Sequence, residues 1–249
     1  MSADEEWQAW GERDPYFGVL THERFRRAQL TPQELEAFFR SGRQEFGQIL
    51  AECRAHVGDL SLRRTLDFGC GTGRLLIPLA ELSGSCVGVD VSDAMRAEAA
   101  RNCAAFGRAN VQLSRSIEEV PAGAGDFSFI HSYIVLQHIA PQRGLGILAA
   151  LLARLAPGGA AALHLTFARS RYAETLGTQP ALRRIMRELG RPWRRLVHRL
   201  RGDEPKMPMH AYSMNRVLYL LHHHGVRCGA FRFTDHAGHL GAILFVKRG

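Results

Sequence analysis

Cysteine is scarce and unpaired in this sequence. The five residues, Cys53, Cys70, Cys86, Cys103 and Cys228, are odd in number and contain no C-x-x-C pair. That argues against both a disulfide framework and a zinc site, and suits free thiols in a reducing compartment. Long apolar runs are absent too: nothing approaches the ~20 uninterrupted residues that a membrane-spanning helix needs. Where a secretory leader would carry a basic start and an apolar run, Asp4, Glu5 and Glu6 stand instead. A cytoplasmic location is the expectation. There is no internal repeat and no low-complexity tract.

What is present is ordinary for a globule that buries a sizeable interior: 46% hydrophobic and 22% charged residues in a chain of 249. One α/β core with a terminal extension and an insertion accommodates that length. The net charge of +8 matters less than its distribution. Much of it lies in one stretch, where Arg183, Arg184, Arg187, Arg191, Arg194, Arg195, Arg199, Arg201 and Lys206 outnumber Glu188, Asp203 and Glu204.

Up to Asp59 the chain reads as a helical cap. Thr31-Pro32-Gln33-Glu34 supplies an N-cap, a proline in the first turn and an early acid. From Arg63 onward short apolar runs alternate with helical stretches, the pattern of βαβ units and a parallel sheet. Strands are expected at residues 64–68, 86–89, 111–113, 127–131 and 160–167, with helices at 74–82, 93–106 and 141–155. Pro157-Gly158-Gly159 reads as the stop for the last of these. Residues 227–234 and 241–247 read as an antiparallel hairpin closing the sheet. Residues 168–212 form an Arg-rich insertion before a helix that starts near Ser213.

The chemistry-bearing segment is Leu66-Asp67-Phe68-Gly69-Cys70-Gly71-Thr72-Gly73-Arg74, in which an acid ends a strand and three glycines at alternate positions lead into a helix. Such glycines allow unusual backbone angles and let a ligand approach the main chain. A dinucleotide fingerprint, G-x-G-x-x-G, would need glycine where Arg74 stands. Asp67 suits a cationic ligand better than a diphosphate. About 20 residues on, the second strand ends in Asp90, placed to accept hydrogen bonds from both hydroxyls of a ribose.

Taken in order, LDFGCGTGRLLIPLA, VGVDVSDAM, FSFIHSYIVLQHI and RLAPGG resemble the class I (Rossmann-like) S-adenosylmethionine-dependent methyltransferases, of the small bacterial type, over residues 66–159. The resemblance implies a doubly wound seven-stranded sheet whose last strand is antiparallel, with S-adenosyl-L-methionine as donor and S-adenosyl-L-homocysteine as product. It implies that Gly69, Gly71 and Gly73 line the methionine portion beside Asp67 and that Asp90 holds the ribose. Val91, Met95, Ser116 and Ile117 would flank the adenine, and Ser132 would border the methionine amino group. An acid that relatives often carry after the third strand is missing from Ser114-Arg115-Ser116-Ile117. Tyr16, Phe17 and Arg43 are lid candidates, and Tyr133, His210 and Tyr212 acceptor-side candidates.

Histidines offer the candidate bases. His138 follows the fourth strand, and His236 and His239 lie in the hairpin loop; each equally fits a structural role. A metal site of His210, His236 and His239 lacks a carboxylate or cysteine at fixed spacing, so none is expected. His222, His223 and His224 suit a solvated helix end. The function expected is methyl transfer to the hydroxyl or amine of a small molecule, which the basic insertion would make acidic or carrier-bound, by a monomer or homodimer without membrane attachment. Two alternatives stay open: a tRNA or rRNA methyltransferase, disfavoured because Trp193 is the main stacking aromatic near the arginines, and a non-catalytic nucleoside-binding partner subunit.

Overall fold

A computed structural model describes residues 2–121, 127–171 and 204–249. Before the sheet come three helices, α1 (Ala3–Arg13), α2 (Pro15–Val19) and α3 (Pro32–Val57). α3 starts where its sequence dictates: Thr31 Oγ1 accepts the Glu34 amide at 3.2 Å and Pro32 occupies the first turn. It ends at Gly58, whose φ of +79° few other residues tolerate. Thr31→Ala should cost about 1 kcal/mol and lower the melting temperature by about 2–4 °C; calorimetry showing no change would mean that packing alone starts the helix.

The sheet follows as β1 (Arg64–Phe68), α4 (Leu76–Glu81), β2 (Ser85–Val89), α5 (Asp93–Ala105), β3 (Val111–Ser114), β4 (Phe127–Ser132), α6 (Pro141–Ala153), β5 (Leu155–Arg169), α7 (Met214–His223), β6 (Val226–His236) and β7 (His239–Arg248). The order across the sheet is β3-β2-β1-β4-β5-β7-β6. β1 to β5 run parallel, while β7 pairs antiparallel with both β5 and β6. β6 therefore points the same way as β5. Its hairpin turn falls at the edge where the parallel strands end, and that is where open α/β sheets bind ligands.

Alternation along the strands splits the core into two layers. Leu66, Ile130, Leu163 and Leu244 meet α6 and α7 through Leu148, Leu151, Val217 and Leu221. On the other face Phe129, Ala162, Ile243 and Phe245 meet Phe38, Phe46, Ile49 and Leu50 of α3. Each such fully buried Leu, Ile or Phe contributes about 1.5–3 kcal/mol, so α3 is an integral layer of the fold as well as a cap.

Pro157-Gly158-Gly159 does not act as the helix stop. α6 already ends at Ala153, and Leu155 pairs with Phe127 as the start of β5. The register shifts between Phe127 and Phe129, and Gly158 has a φ of +70°. Proline and glycine are tolerated there because a bulge has no regular ladder to break. Of the basic insertion, residues 168–171 and 204–212 are described. Arg183, Arg184, Arg187, Arg191, Arg194, Arg195, Arg199, Arg201, Glu188, Asp203 and Trp193 lie outside the described residues. No helix among the described residues is long and apolar enough to cross a membrane.

Candidate active site

At the C-terminal edge of the parallel strands lies a cavity of about 970 Å³. The glycine loop forms its floor. Gly69, Gly71 and Gly73 have φ of +78°, +52° and +92°, so the loop turns through conformations that side chains oppose. Space also demands glycine at the first position, since a Cβ on Gly69 would stand 2.3 Å from Val135 Cγ2. Gly69 and Gly71 line the cavity, as do Asp67, Asp90, Val91, Met95, Ser116 and Ile117. Gly73 sits back from the wall in the turn, its amide donating to the Cys70 carbonyl at 2.9 Å. Ser132 is buried outside the wall, and its Oγ has no hydrogen-bond partner.

The two acids differ in how they are held. Asp67 Oδ1 lies 2.8 Å from His131 Nδ1, both side chains being buried. Asp90 accepts the Gly71 amide at Oδ2 and the Ser92 amide at Oδ1, each at 2.9 Å. It thereby ties the loop after β1 to the end of β2. Burial pushes its carboxyl above the usual range, against the pull of those two amides. Each oxygen keeps a second lone pair for a ligand hydroxyl.

His138 lines the cavity, while His236 and His239 do not. His138 Nδ1 lies 2.8 Å from the Pro208 carbonyl; a carbonyl only accepts, so this nitrogen carries the proton and Nε2 the lone pair. Burial holds the imidazole at a pKa of about 4, and Trp7 meets its ring edge-on at 5.1 Å. His236 instead packs its ring 5.2 Å from His164 and 6.4 Å from Tyr133, and His239 pairs with Arg169 across β5 and β7. Tyr133 is in the wall, with burial and Glu45 raising its hydroxyl above the ordinary range.

The other acceptor-side and lid candidates shape the site from behind. Tyr212 is buried and donates to the Leu136 and Ile139 carbonyls at 2.7 and 3.0 Å, holding the turn that carries His138. The His210 amide donates to the Gln137 carbonyl at 2.7 Å. Tyr16 donates to Glu98 at 2.5 Å, and Phe17 packs on Trp10 with Arg26 over its ring. These two fasten α2, so that Gly18, Val19, Leu20 and Thr21 reach the wall. Arg43 pairs with Glu81 on the surface.

Sequence reasoning missed Trp7, Glu45, Arg74, Gln137, Met207 and Met209, all in the wall. It also stopped short after β3, because Glu118 and Glu119 line the cavity just beyond Ile117. An acid is available on that side, displaced along the chain. In all, the wall carries six carboxylates, Asp4, Glu45, Asp67, Asp90, Glu118 and Glu119, against the guanidiniums of Arg74, Arg115 and Arg143. Its formal charge favours a cationic ligand. Among the described residues no group of histidine, cysteine and acidic side chains is arranged to hold a metal.

Comparison with known proteins bears on this geometry. Residues 65–159 match a family model described as a methyltransferase domain. An uncharacterized protein of Synechococcus sp. is 34% identical over 146 residues, 56% of this chain and 34% of that protein. An uncharacterized methyltransferase of Synechocystis sp. is 28% identical over 107 residues, 41% of this chain and 46% of that protein. The matches thus span about a third and just under half of these curated relatives. The magnesium protoporphyrin IX methyltransferase of Synechocystis PCC 6803, solved with bound S-adenosylhomocysteine, superposes with a TM-score of 0.58 at 19% identity, covering 96% of this chain and 98% of that one. An N-methyltransferase of Bradyrhizobium japonicum WM9, NodS, in complex with the same molecule, gives 0.56 at 15% identity, covering 98% of each chain. At these identities the likeness is one of fold.

Proposed function

We propose that this chain, which carries a methyltransferase domain of the class I Rossmann-like fold, transfers a methyl group from S-adenosylmethionine to a hydroxyl or amine of a small molecule. The observation that carries the reading is the cavity in which the glycine loop, Asp67 and Asp90 meet. The donor set suits that donor: Asp67 offers a carboxylate to an ammonium, Asp90 offers two free lone pairs to a ribose, and the wall's negative charge suits a sulfonium. S-adenosylmethionine supplies an electrophilic methyl group that leaves sulfur by in-line displacement.

The protein's tasks are alignment and exclusion of water. Gly69 and Gly71 let the nucleoside lie against the main chain, and Met95 and Ile117, both buried, provide apolar walls for its base. Trp7, Met207 and Met209 also line the cavity, Trp7 meeting His138 edge-on, and favour an acceptor with an apolar body. His138 is neutral at physiological pH, and its Nε2 lone pair, which accepts from Gln137 Nε2 at 3.3 Å, exchanges that long bond for one from the acceptor's O–H or N–H. That orients the nucleophile's own lone pair toward the methyl carbon. A pKa of about 4 makes it a hydrogen-bond acceptor ahead of a proton store, so the proton left on the methylated atom passes on to water; His236 and His239, away from the wall, do not share this task.

Calorimetry with S-adenosylhomocysteine tests the donor, and incorporation of labelled methyl by the purified protein, over a panel of small hydroxyl and amine compounds, tests the acceptor class. With an acceptor in hand, His138→Gln should lower kcat/KM about tenfold, the worth of one strong hydrogen bond, and leave S-adenosylhomocysteine affinity unaltered. An unchanged kcat/KM would remove His138 from the site. Failure of the wild type to bind the nucleoside would remove the proposal.

A further inference from the structure

β6 ends the sheet, and among the described residues no strand lies on its outer side. Its side chains alternate. Arg232 turns to Glu52 of α3 at 2.7 Å, whereas Arg227, Gly229, Phe231, Phe233 and Asp235 are all exposed. Phe231 and Phe233 are 48% and 77% exposed. They stand opposite Leu244 and Ala242 of β7, on the face to which α7 contributes Val217 and Leu221. Soluble chains blunt such an edge with lysine, proline or a bulge. β6 has neither lysine nor proline, and its bulge falls at the very start, between Val226 and Cys228.

The hairpin turn fixes which backbone groups of β6 face outward. Ala237-Gly238, with φ of +53° and +81°, is a two-residue loop that leaves its flanking pair, His236 and His239, hydrogen-bonded. Alternation then sends the N–H and C=O of Ala230, Arg232 and Thr234 to β7, and those of Gly229, Phe231, Phe233 and Asp235 outward. A second copy of the chain, extending the sheet about a twofold axis, pairs antiparallel with this edge. Outward groups meet outward groups in registers centred anywhere from Gly229 to Phe233, and the side chains distinguish among these. Centres at Gly229 and Ala230 set Arg227 against an aromatic, Phe231 or Phe233 of the second copy. Centres at Arg232 and Phe233 carry it to the turn or past it. The centre at Phe231 sets Arg227 opposite Asp235, on both sides of the axis. Asp235 gives Oδ1 to the Gly238 amide at 2.6 Å and keeps Oδ2 for that contact. The same register lays Phe233 over Gly229, an aromatic filling the space of a missing side chain, and brings the two Phe231 side chains together.

We propose that two copies of this chain join β6 to β6 about a twofold axis at Phe231, forming one continuous sheet. Backbone hydrogen bonds form in pairs at Phe231–Phe231 and at both Gly229–Phe233 contacts. The aromatics leave water, and two Arg227–Asp235 pairs hold the register. Because the two copies of β6 run in opposite directions, the two cavities open on opposite edges of the joined sheet.

Sedimentation of the full chain tests the proposal, with circular dichroism checking that each variant is folded. The wild type should be a dimer at micromolar concentration. Arg227→Asp sets like charges opposite one another and should weaken the dimer at least about tenfold, and adding Asp235→Arg should restore it. Phe231→Lys, which puts two ammonium groups at the axis, should give a monomer. A cross-link reads the register directly. Position 234 faces the exposed native Cys228 of the second copy in a non-hydrogen-bonded pair, with Cα atoms ~4.5 Å apart, within disulfide reach. Thr234→Cys should therefore give a covalent dimer with an added oxidant, and Thr234→Cys with Cys228→Ser should not. A wild type that sediments as a monomer overturns the proposal and leaves the edge to a strand from another protein. A dimer indifferent to Arg227→Asp and Phe231→Lys also overturns it, since the copies then meet elsewhere. Should those variants fail to fold, absence of the Thr234→Cys cross-link decides against it.

Discussion

Asp90→Ala should lower the affinity for S-adenosylhomocysteine by about 100-fold or more. The side chain would hold two ribose hydroxyls, and hydrogen bonds to a charged group are each worth about 1.5–3 kcal/mol, so losing both exceeds two decades in Kd. The same carboxylate receives the Gly71 and Ser92 amides, so its removal also frees the loop and returns two amides to solvent. Asp90→Asn separates the contributions. It keeps size and one acceptor, but turns an NH2 toward one of the two amide donors. An intermediate loss is expected, with the melting temperature reduced as in the alanine variant. Affinity unaltered in either variant would show that the nucleoside lies elsewhere.

Stability should fall steeply in mild acid, before carboxylates titrate. Burial holds His138 at a pKa of about 4 and His164 at about 3, against ~6.5 in an unfolded chain. Both folded-state values are depressed, so the unfolded chain takes up protons first as pH drops. The stability present above pH ~6.5 is lost progressively down to the folded values and then levels off. Between pH 7.5 and 5.5 each histidine costs about 1.4 kcal/mol, together roughly 3 kcal/mol. Denaturant midpoints at the two pH values measure it. His164 accounts for half: its Nε2 lies 2.9 Å from Thr234 Oγ1 and its Nδ1 has no partner, so protonation adds a buried charge with nothing to meet it. His164→Gln should halve the pH dependence. A midpoint that does not move would mean that both imidazoles reach water.

The glycine loop and Asp90 were legible because their constraints are local. A chain that must take positive φ three times within five residues, at the end of a strand, announces it by composition. The hairpin was legible for a related reason, since two apolar runs around a short polar turn have few other ways to pair. Pro157-Gly158-Gly159 misled because proline and glycine punctuate helices and bulges alike. The pairing of Leu155 with Phe127, a contact between distant segments, decides which it is.

The rest of the wall had no such mark. Glu45 is a lone acid at the border of the buried side of a long helix, one turn from buried Gly42 and Ile49, and Met207 and Met209 lie in an irregular stretch. Among the histidines, local sequence made His138, His236 and His239 equivalent. Packing separates them: Tyr212 fastens the turn that presents His138 to the cavity, while His236 rests against His164.

By itself the sequence determined the order of strands and helices, the antiparallel closure and the loop with its paired acids, because periodicity, caps and glycine turns act over a few residues. Only the tertiary structure decided which side chains complete the cavity. The rest of its wall includes Trp7, Glu45, His138 and Met209, residues far apart along the chain. Nothing local to any of them records that packing α1 on α5 and α3 on one face of the sheet brings them together.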